Sequence, residues 1–153
     1  MDHPNKELME KIIDVALQDH QEGRHAIGAL VIKDDEILAI GGATVFTDND
    51  GTSHAEINVM REAMKKLNSC SLKDCYLYTT YEPCPMCTSA AIWAKMKGIV
   101  YGASREDPNV NFAWRVNIPA AEVVERSSPK LELYSEFMRE ECKQLLLMKY
   151  IRL

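Results

Sequence analysis

The chain has 153 residues, of which 46% are hydrophobic and 27% are charged. This length suits one continuous core, so we expect residues 1–153 to form a single domain. The net charge is −5, from 18 lysines and arginines against 23 aspartates and glutamates. Such a balance disfavours a surface built to bind the phosphates of nucleic acid, and we expect no nucleic-acid partner.

The first residues and the cysteines predict where the protein works. Residues 1–5 lack the basic and apolar regions of a signal peptide, and the apolar runs are too short to cross a bilayer. Five cysteines are an odd number without a disulfide pattern, which favours a reducing compartment. We therefore expect a cytoplasmic protein that does not enter a membrane.

Helical and strand patterns alternate along the chain. The predicted elements are a helix capped by Asn5, strands at 27–32 and 37–40, a helix at 54–67, a strand at 76–79, a helix at 85–96, a strand at 98–102, a long loop at 104–117, a helix at 119–125, a strand at 131–134 and a last helix capped by Ser135. This order predicts an α/β fold with three α/β/α layers and a mixed sheet of about five strands.

Two short motifs carry the chemistry of the sequence. The first is His54-Ala55-Glu56, and the second, thirty positions later, is Pro83-Cys84-Pro85-Met86-Cys87. Two cysteines three positions apart on the first turn of a helix point the same way and can share one metal ion. With one histidine they form a ligand set that suits zinc and leaves a fourth position open for water, which is typical of a catalytic site.

Glu56 lies two positions from His54 and does not share its helical face, so we expect it to serve the water as a proton carrier. A structural alternative is that Ser53 and Glu56 form a capping box that only starts a helix. The two cysteines alone could also belong to a structural zinc site or a redox pair. A closed four-ligand site, however, lacks an obvious fourth ligand.

The HxE and PCxxC motifs together are the signature of zinc deaminases of nucleobases. Residues 79–87 and 90–94 resemble the cytidine and deoxycytidylate deaminase superfamily, most of all its guanine deaminase-like members, and the resemblance spans about residues 7–102. It implies a cytidine deaminase-like fold and a zinc ion held by His54, Cys84 and Cys87. It also implies hydrolytic release of ammonia from a free nucleobase or related aminated heterocycle, with guanine the first guess and cytosine the next.

The resemblance also implies contacts to the substrate. These are the backbone N–H of Ala55, the backbone carbonyl of Glu82, the ring of Trp93 and the side chain of Ile27. Trp93 stands among apolar residues at 90–94 and could equally belong to the core. Two positions depart from the usual pattern, because Ala43 stands where such deaminases carry an asparagine and Ile27 stands where an aromatic residue is common. Both departures remove expected contacts to the base, so the substrate stays open.

Two other functions fit parts of the sequence. A tRNA-specific adenosine deaminase would need a basic surface, for which the composition gives no sign. A non-catalytic, zinc-stabilised domain would unfold without zinc and would not depend on Glu56.

Related deaminases are commonly dimers, so we expect a homodimer, with the apolar end of the last helix at 145–148 as a candidate surface. His25 could compensate for the missing base contacts, although a histidine before a strand is more often simply solvated.

Overall fold

The computed structural model describes residues 1–150 of the chain. Its helices and strands follow the predicted order. They are α1 (Lys6–Gln21), β1 (Gly28–Lys33), β2 (Glu36–Gly42), α2 (Ala55–Leu67), β3 (Cys75–Tyr81), α3 (Pro85–Trp93), β4 (Gly98–Ala103), α4 (Ala120–Glu125), β5 (Glu132–Tyr134) and α5 (Arg139–Leu146).

The five strands of the described residues form one mixed sheet in the order β2-β1-β3-β4-β5. β1 runs antiparallel to both of its neighbours, whereas β4 runs parallel to β3 and to β5. The parallel pair β3 and β4 is joined across α3, as the alternation of strand and helix predicts. The prediction of a mixed five-stranded sheet is therefore confirmed.

Helices cover both faces of this sheet. On one face, Val31 and Leu77 belong to a core cluster with residues of α2 and α3 such as Met60 and Ala91. On the other face, alternate strand residues such as Tyr78 pack in a second cluster with residues of α1 and α5. Side chains of a strand alternate between faces, so each central strand supplies both clusters. The three-layer α/β/α prediction is confirmed.

The first helix lies unusually close to the sheet. Asn5 caps it as predicted, because its side chain accepts a hydrogen bond from Leu8 N at 3.1 Å. A Cβ atom added to Gly28 would lie 2.1 Å from the backbone oxygen of Ile12. Only glycine therefore permits this approach of α1 to β1.

Two helix boundaries differ from the predictions. The last helix begins at Arg139 and not after Ser135, since Phe137 N first donates a hydrogen bond to Tyr101 O at 2.9 Å along the edge of β4. The third helix ends at Trp93, before the predicted residue 96, because Lys95 takes a left-handed conformation with φ of 64°. Both boundaries, the start of α5 and the end of α3, depend on the backbone and not on the side-chain pattern of the sequence.

Within residues 1–150, no helix is both long enough and apolar enough to span a membrane. All five cysteines are free. Cys75 and Cys142 are buried in the sheet clusters, whereas Cys70 is exposed. The two remaining cysteines lie in the candidate site.

Candidate active site

The three predicted metal ligands lie at the starts of two neighbouring helices. His54 is the N-cap residue of α2, and Cys84 is the N-cap residue of α3 with Pro85 at the first helical position. Cys87 lies one turn further along α3 and is fully buried. The partial positive charge at both helix starts favours anionic ligands here.

Hydrogen bonds hold both helix starts in place. Asn58 Nδ2 donates to Gly42 O and Thr44 Oγ1, each at 2.9 Å, and so ties the segment after β2 to α2 next to His54. Thr88 Oγ1 donates to Pro83 O at 3.2 Å and closes the turn that carries the two cysteines. The ligand positions are therefore fixed by residues outside the metal motif.

The donor atoms fit a zinc ion. His54 Nδ1 lies 3.7 Å from Cys84 Sγ and 3.6 Å from Cys87 Sγ, and all three donor atoms lie within 4.8 Å of one another. Tetrahedral zinc with ordinary Zn–N and Zn–S bonds separates such atoms by about 3.6 Å. Three ligands of this kind leave one coordination position for water or substrate.

The protonation of the three ligands is coupled. The Cys87 thiol donates to Cys84 and, with His54, lowers the pKa of the Cys84 thiol to about 4. The same hydrogen bond raises the pKa of Cys87, and burial raises it further. The bond to Cys84 also raises the pKa of His54. Cys84 is therefore held as the thiolate, which is the form that binds a metal.

Glu56 lies beside this cluster and is only 5% exposed. Its Oε1 accepts a hydrogen bond from Thr79 Oγ1 of β3 at 2.9 Å, and burial raises the pKa of the carboxyl group. The capping-box alternative is wrong, because α2 is capped by His54 without a side-chain hydrogen bond and the carboxylate bonds Thr79 instead. A buried carboxyl group of this kind is suited to hold and release a proton.

A pocket of about 520 Å³ opens onto the cluster. Its lining includes His54, Glu56 and Cys84. Three of the predicted substrate contacts, Ile27, Ala55 and Glu82, also line it. Ala43, which replaces the usual asparagine, and His25 line it as well. The volume falls in the range of small-molecule sites.

Trp93 does not reach this pocket. Its indole is 85% exposed and lies in a separate groove bordered by α3 and α4. Six positions along a helix rotate a side chain by about 240° from the direction of Cys87, so Trp93 points away from the metal motif. The expectation that its ring lines the pocket is corrected.

His25 is buried in an aromatic cluster at the side of the pocket. Its ring centroid lies 4.1 Å from that of Tyr150, 5.0 Å from Phe112 and 5.9 Å from Phe46. Burial lowers the pKa of His25, and its neighbour His54 lowers it further. His25 is therefore a packed, neutral residue of the pocket wall and not the solvated histidine of the alternative.

The loop at 104–117 supplies the residues that sequence reasoning missed. Arg105, Phe112 and Arg115 of this loop line the pocket, as does Tyr81 at the end of β3. The carboxylate of Glu82 holds this loop by accepting from Arg105 N at 3.1 Å and from Ala120 N at 2.9 Å. In the sequence, the signal that could have indicated this contact is an acidic residue, Glu82, directly after a buried strand.

Comparisons with known proteins agree with this geometry. Residues 2–103 match the cytidine and deoxycytidylate deaminase zinc-binding region. A guanine deaminase of Bacillus subtilis is 48% identical over 80 residues, which are 52% of this chain and 51% of that protein. This match thus spans about half the length of the relative. A tRNA-specific adenosine deaminase of Buchnera aphidicola is 33% identical over 127 residues, which are 82% of this chain and 80% of that protein.

A similar solved structure comes from work on A-to-I editing by tRNA A34 deaminases at the wobble position. It superimposes with a TM-score of 0.79 at 28% identity and covers 93% of this chain and all of that chain. The expected superfamily and the cytidine deaminase-like fold are thereby confirmed. The chain belongs to the cytidine and deoxycytidylate deaminase family, whose members are hydrolytic deaminases acting on C–N bonds.

Proposed function

We propose that this chain is a zinc-dependent hydrolytic deaminase of a free nucleobase or a related aminated heterocycle, with guanine the first candidate and cytosine the next. The observation that carries the proposal is the buried carboxyl group of Glu56 beside the cluster of His54, Cys84 and Cys87 in a pocket of about 520 Å³. One open metal position, one proton carrier and a small pocket are the parts that such a reaction needs.

The residues present fit zinc, and we propose that His54, Cys84 and Cys87 hold it. When bound with an open coordination position, zinc supplies activation of water near neutral pH. The imidazole nitrogen that lies with the two sulfurs, all within 4.8 Å of one another, supports metal binding over disulfide chemistry. The second cysteine of the motif gives up its proton on binding.

Glu56 carries protons through the reaction. It accepts one proton from the attacking water and delivers it to a ring nitrogen; it then takes the second proton from the hydroxyl group of the adduct and passes it to the amino group as that group leaves. Oxygen adds to the ring carbon that bears the amino group, the C–N bond breaks, and ammonia and a ring carbonyl result. The hydrogen bond from Thr79 orients the carboxylate for these steps.

Substrate contacts follow from the pocket lining. We propose that Ala55 N–H and the backbone carbonyl of Glu82 bind the heterocycle and that Ile27 forms an apolar wall. Ala43 offers no side-chain hydrogen bond to a base. A site without that partner discriminates among bases differently from one that has it, so the substrates tested below extend beyond guanine and cytosine.

A tRNA-specific adenosine deaminase is the second candidate. It is favoured by the wider coverage of the relative with that name, 82% of this chain against 52% for the guanine deaminase. The net charge of −5 argues against it, because contacts to RNA phosphates need a basic surface. A non-catalytic zinc domain is a third candidate, and it leaves the proton carrier Glu56 without a role.

We further propose that the protein is a cytoplasmic homodimer. The predicted surface at 145–148 is wrong in part, because Leu145 and Leu146 are buried in the core and only Leu147 is largely exposed. Leu147 and Trp93, which are 52% and 85% exposed, support an interface between copies. Sedimentation of the zinc-loaded protein tests this, and a monomer at micromolar concentration contradicts it.

Ammonia release from the zinc-loaded protein tests the main proposal. Guanine, cytosine, adenine, their nucleosides and pterin- or triazine-like amines form the panel, with an A34-containing tRNA measured in parallel. Release from a free heterocycle supports the proposal. Release from the tRNA alone supports the second candidate, and no release from any of them supports the third.

A further inference from the structure

The mouth of the pocket carries two arginines and no free carboxylate. Arg105 and Arg115 both line it, and neither makes an ion pair with any residue in the part of the chain that the structure describes. The acidic residues of the lining are Glu56 and Glu82, and Glu82 already accepts two backbone N–H groups. Both carboxyl groups of the lining are therefore already hydrogen-bonded within the protein, so a bound anion would meet the two guanidinium groups.

Arg105 is buried, and no carboxylate among residues 1–150 forms an ion pair with it. It is 9% exposed, and its Nη2 donates a hydrogen bond to the backbone oxygen of Val116. A buried guanidinium without an anion is costly, and proteins normally pair such a group. The nearby Asp107 is not available, since Arg139 and Ser104 N occupy its carboxylate.

Arg115 is held at the mouth with donors to spare. Its Nη1 lies 3.4 Å from Tyr81 Oη and 3.3 Å from Arg105 O, and these two contacts fix the direction of the guanidinium. The same pocket is lined by Tyr81 and Phe112, whose rings are nearly parallel with centroids 6.3 Å apart. Planar apolar faces thus lie next to a fixed cationic fork, a combination that suits a flat ring bearing an anionic group.

We propose that the substrate is an aminated heterocycle that carries an anionic group, a carboxylate or a phosphate, bound by Arg115 and Arg105. This inference rests on the proposed function, because it names the substrate class of the same site. Arg115 gives the fork that binds two oxygens of the group, and Arg105 supplies the buried charge beside it. The neutral wall formed by Ile27 and Ala43 adds no competing polar partner.

Matched pairs of compounds test the proposal. One arm compares pterin with pterin-6-carboxylate and cytosine with 5-carboxycytosine, and a second arm compares cytidine with its 5′-monophosphate. Both kcat/KM for ammonia release and the dissociation constant are measured, the latter by pterin fluorescence or equilibrium dialysis on the zinc-loaded protein. The first arm reports a ring carboxylate and the second a phosphate.

The variants are Arg115→Gln, Arg115→Lys and, as a matched surface control, Arg126→Gln. Arg115 and Arg126 are both exposed, so all three proteins are expected to fold. We expect the wild type to prefer one anionic member by roughly 10- to 100-fold, the value of hydrogen bonds to a charged group. Arg115→Gln brings the preference to within about threefold, Arg115→Lys keeps part of it, and Arg126→Gln keeps all of it.

Three results overturn the proposal. The first is a wild type that does not prefer an anionic member in either arm. The second is an Arg115→Gln protein whose kcat/KM and affinity fall equally for the neutral and the anionic compound of a pair, which would make the role of Arg115 structural. The third is tight binding of tRNA alone that Arg115→Gln abolishes. Failure of the proposed function gives a different result. In that case no ammonia is released, but the anionic compounds still bind more tightly than their neutral partners.

Discussion

Glu82 is predicted to hold the loop at 104–117 over the pocket, and Glu82→Gln tests this. The carboxylate is 6% exposed, and its two oxygens accept from Arg105 N and Ala120 N. A glutamine of the same shape still offers one oxygen but presents an NH₂ group to the other N–H. One hydrogen bond to a charged group is worth about 1.5–3 kcal/mol when buried, and this is the expected loss.

Amide hydrogen exchange measures that loss at the atoms concerned. A loss of this size corresponds to roughly 10- to 150-fold faster exchange at Arg105 N, Ala120 N or both in Glu82→Gln. The free energy of unfolding from urea titration falls by a similar amount. Glu122→Gln is the matched control, because that exposed carboxylate only pairs with Arg126 one turn away and is worth at most about 0.5 kcal/mol. Unchanged exchange at both amides would refute the role of Glu82 as an anchor.

Three further predictions concern the rest of the molecule. His3 Nδ1 lies 2.6 Å from Tyr78 Oη and accepts its hydrogen bond in the neutral tautomer that carries its proton on Nε2. Burial lowers the pKa of His3, so the stabilising effect of neutral His3 is complete above about pH 6.5 and is lost on acidification through the lowered pKa. We expect the free energy of unfolding to fall less between about pH 7.5 and 5 in His3→Phe than in the wild type, because phenylalanine keeps an aromatic ring but does not titrate. The two pH values bracket the ordinary histidine pKa. Gly28→Ala is expected to destabilise the protein by about 1–3 kcal/mol or more, because the new methyl group meets Ile12 O. Removing zinc with a chelator is expected to lower the thermal midpoint, and added zinc should restore it.

Each of these predictions has a defined control. Equal pH dependence in wild type and His3→Phe contradicts the first. Gly41→Ala is the control for Gly28→Ala, since a Cβ at Gly41 has no neighbour within 4 Å, and equal stability of the two variants contradicts the second. A thermal midpoint that does not respond to chelator or zinc contradicts the third.

Local patterns predicted most of the fold and the centre of the site. Cys84 and Cys87 lie on one helical turn, where three positions of spacing let both sulfurs face one metal ion, and this spacing is visible in the sequence. The helix and strand order follows from hydrophobic periodicity, which reports burial directly. The end of α3 was missed because its left-handed residue is Lys95, where a sequence gives no glycine to signal it.

The wall of the pocket could not be predicted in the same way. Arg105 and Arg115 face the site only because Glu82 anchors their loop and because Asn111 bonds Met148 O and Tyr150 N near the end of the chain. These contacts join residues far apart in sequence, and no local periodicity records them. We propose that this loop contacts the substrate, and the motif, which lies outside the loop, therefore indicates the chemistry and not the base.

The most direct test of the account is ammonia release by Glu56→Gln beside the wild type, with zinc content and circular dichroism measured on both. The account predicts full zinc binding, an unchanged fold and a fall in kcat of about 10²- to 10⁴-fold, the usual contribution of a positioned proton carrier. A Glu56→Gln protein that releases ammonia at the wild-type rate would contradict it.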